Sequence, residues 1–266
     1  MNLKRIGLLL VLLLGSNALA DDSMYLFTIP TDTAESVQGP LDDAIEATLH
    51  VPDGDVARRL LESGGGVTVM QASADQVVVS LGTRATLTTS PEPSHRRSSF
   101  VIDYDEPAFD ALIDSLRAEL GEAPHITDLT QFVFEYIDDK HYRNGFDLAS
   151  KVAATRAGDC TEHAVLLTAL ARATGRAARV VFGIQLAETD SGLRAFGHAW
   201  TEIHDGKNWK VADATIPIDA DSEIRIRYLP VISLDNEGPG FGLDMARLTW
   251  AQPARVSNIR NSRLIL

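Results

Sequence analysis

The sequence predicts a fold in which strands and helices come in separate blocks. Three observations lead to it. Short Val- and Thr-rich segments parted by glycine turns fill the region before residue 100, apolar residues then recur at helical spacing from 106 to 174, and strand-like segments flank an Asp-Gly turn between 178 and 213.

In chain order, Lys4 and Arg5 precede an apolar run from Ile6 to Leu14, and Gly15-Ser16-Asn17-Ala18-Leu19-Ala20 follows. This is the pattern of a secretory leader, residues 1–20, cut after Ala20; its apolar run is too short to cross about 30 Å of hydrocarbon as a helix. It predicts a periplasmic or secreted protein with no stable membrane insertion once the leader is removed. Residues 21–100 read as a β-rich region, with strands expected at 47–51, 67–71, 76–81 and 84–88 and turns at Pro52-Asp53-Gly54, Gly64-Gly65-Gly66 and Gly82-Thr83. Residues 90–99, rich in Ser, Pro and Arg, read as an exposed linker that closes this region.

The period then becomes helical. Residues 106–120 place Phe109, Leu112, Ile113 and Leu116 on one face and stop at Gly121; residues 127–138 do the same with Leu129, Phe132, Val133 and Tyr136. A third helix is expected over 159–174. Asp159 is its N-cap, Glu162 three residues on completes a variant capping box, and Gly175 supplies a left-handed end. Strands are expected at 178–187, 196–204 and 207–213, and 224–229 is strand-like before the loop Gly238-Pro239-Gly240.

Composition narrows the chemistry. The formal charge is -13 and becomes more negative when Lys4 and Arg5 leave with the leader, which argues against a nucleic-acid partner. The single cysteine, Cys160, cannot form an internal disulfide, so it is either a small buried apolar group or a working thiol. It directly follows the capping Asp159. The free N–H groups and dipole of a helix start favour a thiolate there, while Asp159 and Glu162 oppose it.

Asp205-Gly206 suits a two-residue type I′ hairpin turn that sets His204 opposite Lys207. Counted outward, His198 falls opposite Asp213, and directly opposed side chains have Cβ atoms about 4.5–5.5 Å apart. The spacing therefore predicts a His198–Asp213 pair, with His198 as base for Cys160 and Asp213 holding the imidazole in one tautomer. The backbone N–H of Cys160 would form part of an oxyanion hole. His163 reads as a packing residue beside the site, and His204 as a solvated one. No metal or other cofactor is called for: C-x-x-C and H-E-x-x-H are absent, and Asp219-Ala220-Asp221-Ser222-Glu223 lacks the glycine and remote glutamate of a calcium loop.

The segments Gly158-Asp159-Cys160-Thr161-Glu162-His163-Ala164, Gly197-His198-Ala199-Trp200-Thr201-Glu202-Ile203 and Asp213-Ala214-Thr215, with Trp209 between the last two, resemble the transglutaminase-like superfamily of papain-type cysteine enzymes. The resemblance covers about 125–217. It implies an α+β fold in which the cysteine helix packs on an antiparallel sheet carrying the histidine and aspartate, within a catalytic domain 101–266 that includes a C-terminal extension. It also implies an acyl-thioester reaction on protein or peptide amides, by hydrolysis or transfer, or else an inactive peptide-binding module of the cell envelope. A further oxyanion donor upstream of the cysteine falls, by the resemblance, at Tyr142. Ala214 stands where the family commonly has proline.

Overall fold

The computed structural model of the chain describes residues 26–33, 37, 39–42, 44–64, 66–81, 90–140, 146–189, 192–218, 225–235 and 237–262. The leader, the expected strand at 84–88, Tyr142 and the acidic segment 219–223 lie outside them. In order, the described elements are β1 (Phe27–Ile29), β2 (Thr31–Thr33), β3 (Ile45–His50), α1 (Gly54–Gly64), β4 (Val67–Ala72), β5 (Gln76–Leu81), α2 (Asp110–Leu120), α3 (Ile126–Tyr136), α4 (Ala149–Thr155), α5 (Cys160–Ala173), β6 (Ala178–Thr189), β7 (Gly192–His204), β8 (Trp209–Ala212), β9 (Arg225–Ser233), α6 (Gly242–Ala251) and β10 (Arg255–Asn261). The fold is α+β.

Pro30 parts β1 from β2 and the two strands join different sheets. β1 pairs antiparallel with β7, Phe27 opposite Gly197, whereas β2 runs parallel to β10, Val256 opposite Thr31. A proline suits this crossing because it has no N–H to leave unpaired. Its carbonyl accepts the Val256 N–H at 2.9 Å. One sheet runs β1-β7-β6-β9 with β8 on β7; the other runs β2-β10-β3-β5-β4. The C-terminal strand β10 lies between β2 and β3, so the end of the chain completes the sheet that the N-terminal region begins.

The first sheet contributes to two cores, and the second sheet to one of them. Strand β5 alternates buried Val77, Val79 and Leu81 with half-buried neighbours, the mark of a strand with one face inward. Those residues meet Leu49, Leu61, Ile184, Leu186 and Leu229. The other core joins Phe109, Leu116, Leu129 and Val133 from α2, α3 and the turn before α2 to Leu166 and Leu170 of α5 and to Val180, Phe182 and Ala199 of the first sheet. Helix α5 is buried from Cys160 through Arg172, so it runs through the centre of the domain. Its Arg172 is saturated there, donating to Ala178 O at 2.9 and 2.8 Å, to Arg97 O at 3.0 Å and to Glu237 at 2.7 and 2.6 Å.

The helices expected from apolar spacing appear as α2, α3 and α5. Helix α1 is not among the expected elements; it follows the expected Pro52-Asp53-Gly54 turn, where Asp53 caps it by accepting the Val56 N–H at 2.9 Å. Residues 90–99 are mostly exposed yet pinned: a short 3-10 turn, Pro93–Arg96, sets the His95 ring edge-on to Trp209 at 5.1 Å.

Candidate active site

The first turn of α5 is built from its own sequence. Asp159 Oδ1 accepts the Thr161 N–H at 2.9 Å, and Glu162 Oε2 accepts the Asp159 N–H at 3.0 Å, completing the capping box. Gly158, at φ +154, makes room for this: a Cβ there would stand 2.2 Å from the Glu162 Cβ. Glu162 Oε1 also accepts the Asp147 N–H at 3.1 Å, which ties the segment before α4 to the cysteine turn.

Cys160 is free and 0% exposed. Its sulfur accepts the N–H of Ala199. That contact follows from a gap in the sheet. Along the outer edge of β7, Gly197 O accepts Leu26 N–H at the end of β1, and Thr201 is paired with Ala212 of β8. Alternate residues of a strand present their backbone groups to the same edge, so Ala199 faces the space between β1 and β8. The sulfur fills that position, beside the residue that follows His198.

The site's charges do not favour a thiolate at rest. Burial and then the charge of Asp159 push the Cys160 thiol well above its usual range, Asp213 and Glu162 add to this, and the Ala199 N–H opposes it. The opposition from Asp159 and Glu162 that the sequence suggests is present, and burial adds to it against the helix start.

His198 and Asp213 are brought together, by a route other than the expected hairpin. His204 lies opposite Trp209, and β8 begins at Trp209 instead of Lys207. The turn is a four-residue one in which Asp205 N–H donates to Asn208 O at 3.0 Å and Asp205 Oδ1 accepts the Lys207 and Asn208 N–H groups, both at 2.8 Å. Trp209 prefers a packed place, between the His95 and His204 rings and under the Arg179 guanidinium, 4.4 Å away. His204 is accordingly half-buried, not solvated.

With this register the ladder ends at Thr201 and Ala212, so Asp213 lies beyond the strand and is not the cross-strand partner of His198. It still reaches the imidazole: His198 Nε2 donates to Asp213 Oδ2 at 2.8 Å. The same oxygen accepts from Tyr228 Oη at 2.7 Å and Gln185 Nε2 at 3.1 Å, while Oδ1 accepts the Thr215 N–H at 3.0 Å and its hydroxyl at 2.6 Å. Burial alone would raise the Asp213 pKa; the His198 charge, its hydrogen bond and the two from Thr215 hold it at about 2.

Tyr228 and Gln185 escape sequence reasoning because each lies on a different strand from Asp213. Their signal is register: Gln185 pairs with Tyr228 across β6 and β9, and with Phe196 across β6 and β7. Trp200 completes this face, 6.4 Å from the His198 ring and 5.1 Å from Tyr228. Gly183, opposite His198, lets the indole lie close, since a Cβ there would stand 2.7 Å from Trp200 and 2.1 Å from Leu229 O.

His163 is also buried in the first turn of α5. Among the described residues no cluster of side chains has metal-binding geometry, and no helix is long and apolar enough to cross a membrane. A polar cleft of about 730 Å³ opens near the far end of α5, lined by His95, Arg97, Arg179, Asp235 and Glu237 among others, and does not include Cys160, His198 or Asp213.

Residues 111–214, which contain all three, match the family model described as Transglutaminase-like superfamily. No curated protein matches the sequence. Solved structures align at low identity. A provisionally assigned cysteine protease from Cytophaga hutchinsonii is 15% identical over 73% of this chain and 77% of that one, with a TM-score of 0.43. The periplasmic domain of TgpA from Pseudomonas aeruginosa is 18% identical over 74% of both chains, at 0.42. Legionella pneumophila LapG is 15% identical over 54% of this chain and 86% of its own, at 0.33.

Proposed function

Residues 111–214 form a transglutaminase-like core, and from that premise we propose that the chain is an exported thiol enzyme that breaks protein or peptide amides through an acyl-thioester. The observation that supports this best is the pairing of His198 Nε2 with Asp213 at 2.8 Å beside a sulfur lodged on Ala199. With Nε2 committed to the carboxylate, Nδ1 is the nitrogen that takes the Cys160 proton as substrate arrives. The sulfur then bonds to the carbonyl carbon, the C–N bond breaks, and Nδ1 returns the proton to the departing amine. Water or a second amine, activated by the same nitrogen, attacks the thioester and releases the thiol. The Cys160 N–H and Tyr142 are assigned to the oxyanion.

A second reading is favoured by one observation: Cys160 is 0% exposed and its thiol is pushed up, as suits an inactive binding module. Alkylation by iodoacetamide across pH separates the two. The enzyme reading predicts reaction at neutral pH that His198→Ala slows at least tenfold, whereas an ordinary thiol profile near 8.5, unchanged by that substitution, would overturn it. Incubation with casein and a fluorescent primary amine then distinguishes transfer, read as incorporation lost in Cys160→Ala, from hydrolysis, read as peptide or ammonia release.

A further inference from the structure

His163 begins three residues after Cys160 on α5, so the two Cβ atoms are about 5–6 Å apart. Its side chain is 0% exposed. One ring nitrogen is fully accounted for: Nδ1 lies 2.7 Å from the carbonyl oxygen of Asp159. A carbonyl only accepts, so Nδ1 carries the proton and Nε2 presents a bare lone pair. The ring stays neutral, since burial, Lys140 and His198 together hold it at about 4 against the pull of the Asp159 carbonyl. That Nε2 is buried and has no hydrogen-bond partner among the described residues. The charges of both Asp213 and His198 act on the ring.

A buried acceptor left without a donor is unfavourable, and such atoms are few in folded proteins. This one can take only a donor, and it belongs to the side chain three residues along the same helix from Cys160. We propose that His163 Nε2 is a substrate-binding acceptor that receives the N–H of an amide whose carbonyl is seated at Cys160, so that the site selects amides over esters. The proposal rests on Cys160 being the reactive thiol described above. His163 neither moves a proton nor supports His198; it reads whether the group beside the sulfur carries an N–H.

Two alkylating reagents test this without knowledge of the substrate. Iodoacetamide carries an amide N–H and methyl iodoacetate does not, and Cys160 is the only thiol in the chain. The ratio of their rates at one pH cancels the thiolate fraction. Relative to N-acetylcysteine, the wild-type protein should favour iodoacetamide about 10-fold or more, the effect of one hydrogen bond to a buried acceptor. In His163→Asn the amide nitrogen can keep the Nδ1 contact to Asp159 while Nε2 is lost, and the ratio should fall to that of N-acetylcysteine. His163→Gln, whose carbonyl oxygen reaches the Nε2 position, should restore part of it. An unchanged ratio in His163→Asn would overturn the proposal, whereas failure of His198→Ala to slow both reagents would overturn the thiol-enzyme reading instead. Should the asparagine variant not fold, the wild-type adducts suffice: the 15N resonance of His163 Nε2 should move upfield with the carbamidomethyl adduct relative to the methoxycarbonylmethyl one. Identical resonances would overturn the proposal.

Discussion

Glu162 and Asp213 are both buried carboxylates whose charges act on Cys160, and their environments drive them in opposite directions. Glu162 is pushed up to about 8 by burial and then by the neighbouring charge of Asp159, which its two backbone donors do not offset. Asp213, against the same effect of burial, is held at about 2 by the charge of His198, the hydrogen bond from its ring and the two from Thr215. Burial is common to both. The charge of the His198 partner, which Glu162 lacks, decides that Asp213 is lowered while Glu162 is raised.

The largest effect should come from Asp213→Asn, which keeps the size of the side chain but reverses the polarity of one of its faces. Ring tautomer and imidazolium support are lost together, and turnover of casein amide should fall about 10³- to 10⁴-fold. A fall of less than tenfold would mean that Asp213 does not orient the base. Tyr228→Phe removes one of three donors from Oδ2 while Gln185 and His198 remain. It should lower kcat about tenfold with KM little changed, and combination with Gln185→Leu should be less than additive, because the two share one acceptor.

The smallest effect tests the other carboxylate through stability. An acid raised from 4.5 to about 8 takes up a proton on folding between those values, so its contribution falls as pH rises through that window. His163, lowered from 6.5 to about 4, behaves oppositely: the unfolded chain takes up the proton first, and stability is lost as pH falls from 6.5 towards 4. The two oppose each other between about 4.5 and 6.5, and Glu162 acts alone up to about 8. Thermal melts should therefore show a decline from pH 6.5 to 8, about 2 kcal/mol at most. Glu162→Gln, which imitates the protonated acid, should flatten it, and an undiminished slope would assign the decline to another group.

The two arms of the site differ in the same way in how far they could be read from sequence. Asp159, Cys160, Glu162 and Gly175 specify α5 through contacts of two to four residues, and the structure repeats each of them: the cap, the box, and Gly175 at φ +83. The pairing of His198 with Asp213 was also legible, but for a reason the structure does not support. A two-residue turn at Asp205-Gly206 would have opposed them, yet Asp205 caps a longer turn, Trp209 takes the packed position, and the ladder shifts. Asp213 then reaches His198 from beyond the strand, on the face where Gln185 and Tyr228 wait.

By itself the sequence determined helices α2, α3 and α5, the capped cysteine, and the block order of an α+β chain, because these depend on short-range spacing and local hydrogen bonds. Only the tertiary structure decided that β10 closes the N-terminal sheet, that Gln185 and Tyr228 join Asp213, that the sulfur fills the gap between β1 and β8, and that burial pushes its thiol up. Those outcomes depend on desolvation and on strands distant along the chain, and neither has a local signature for a sequence to carry.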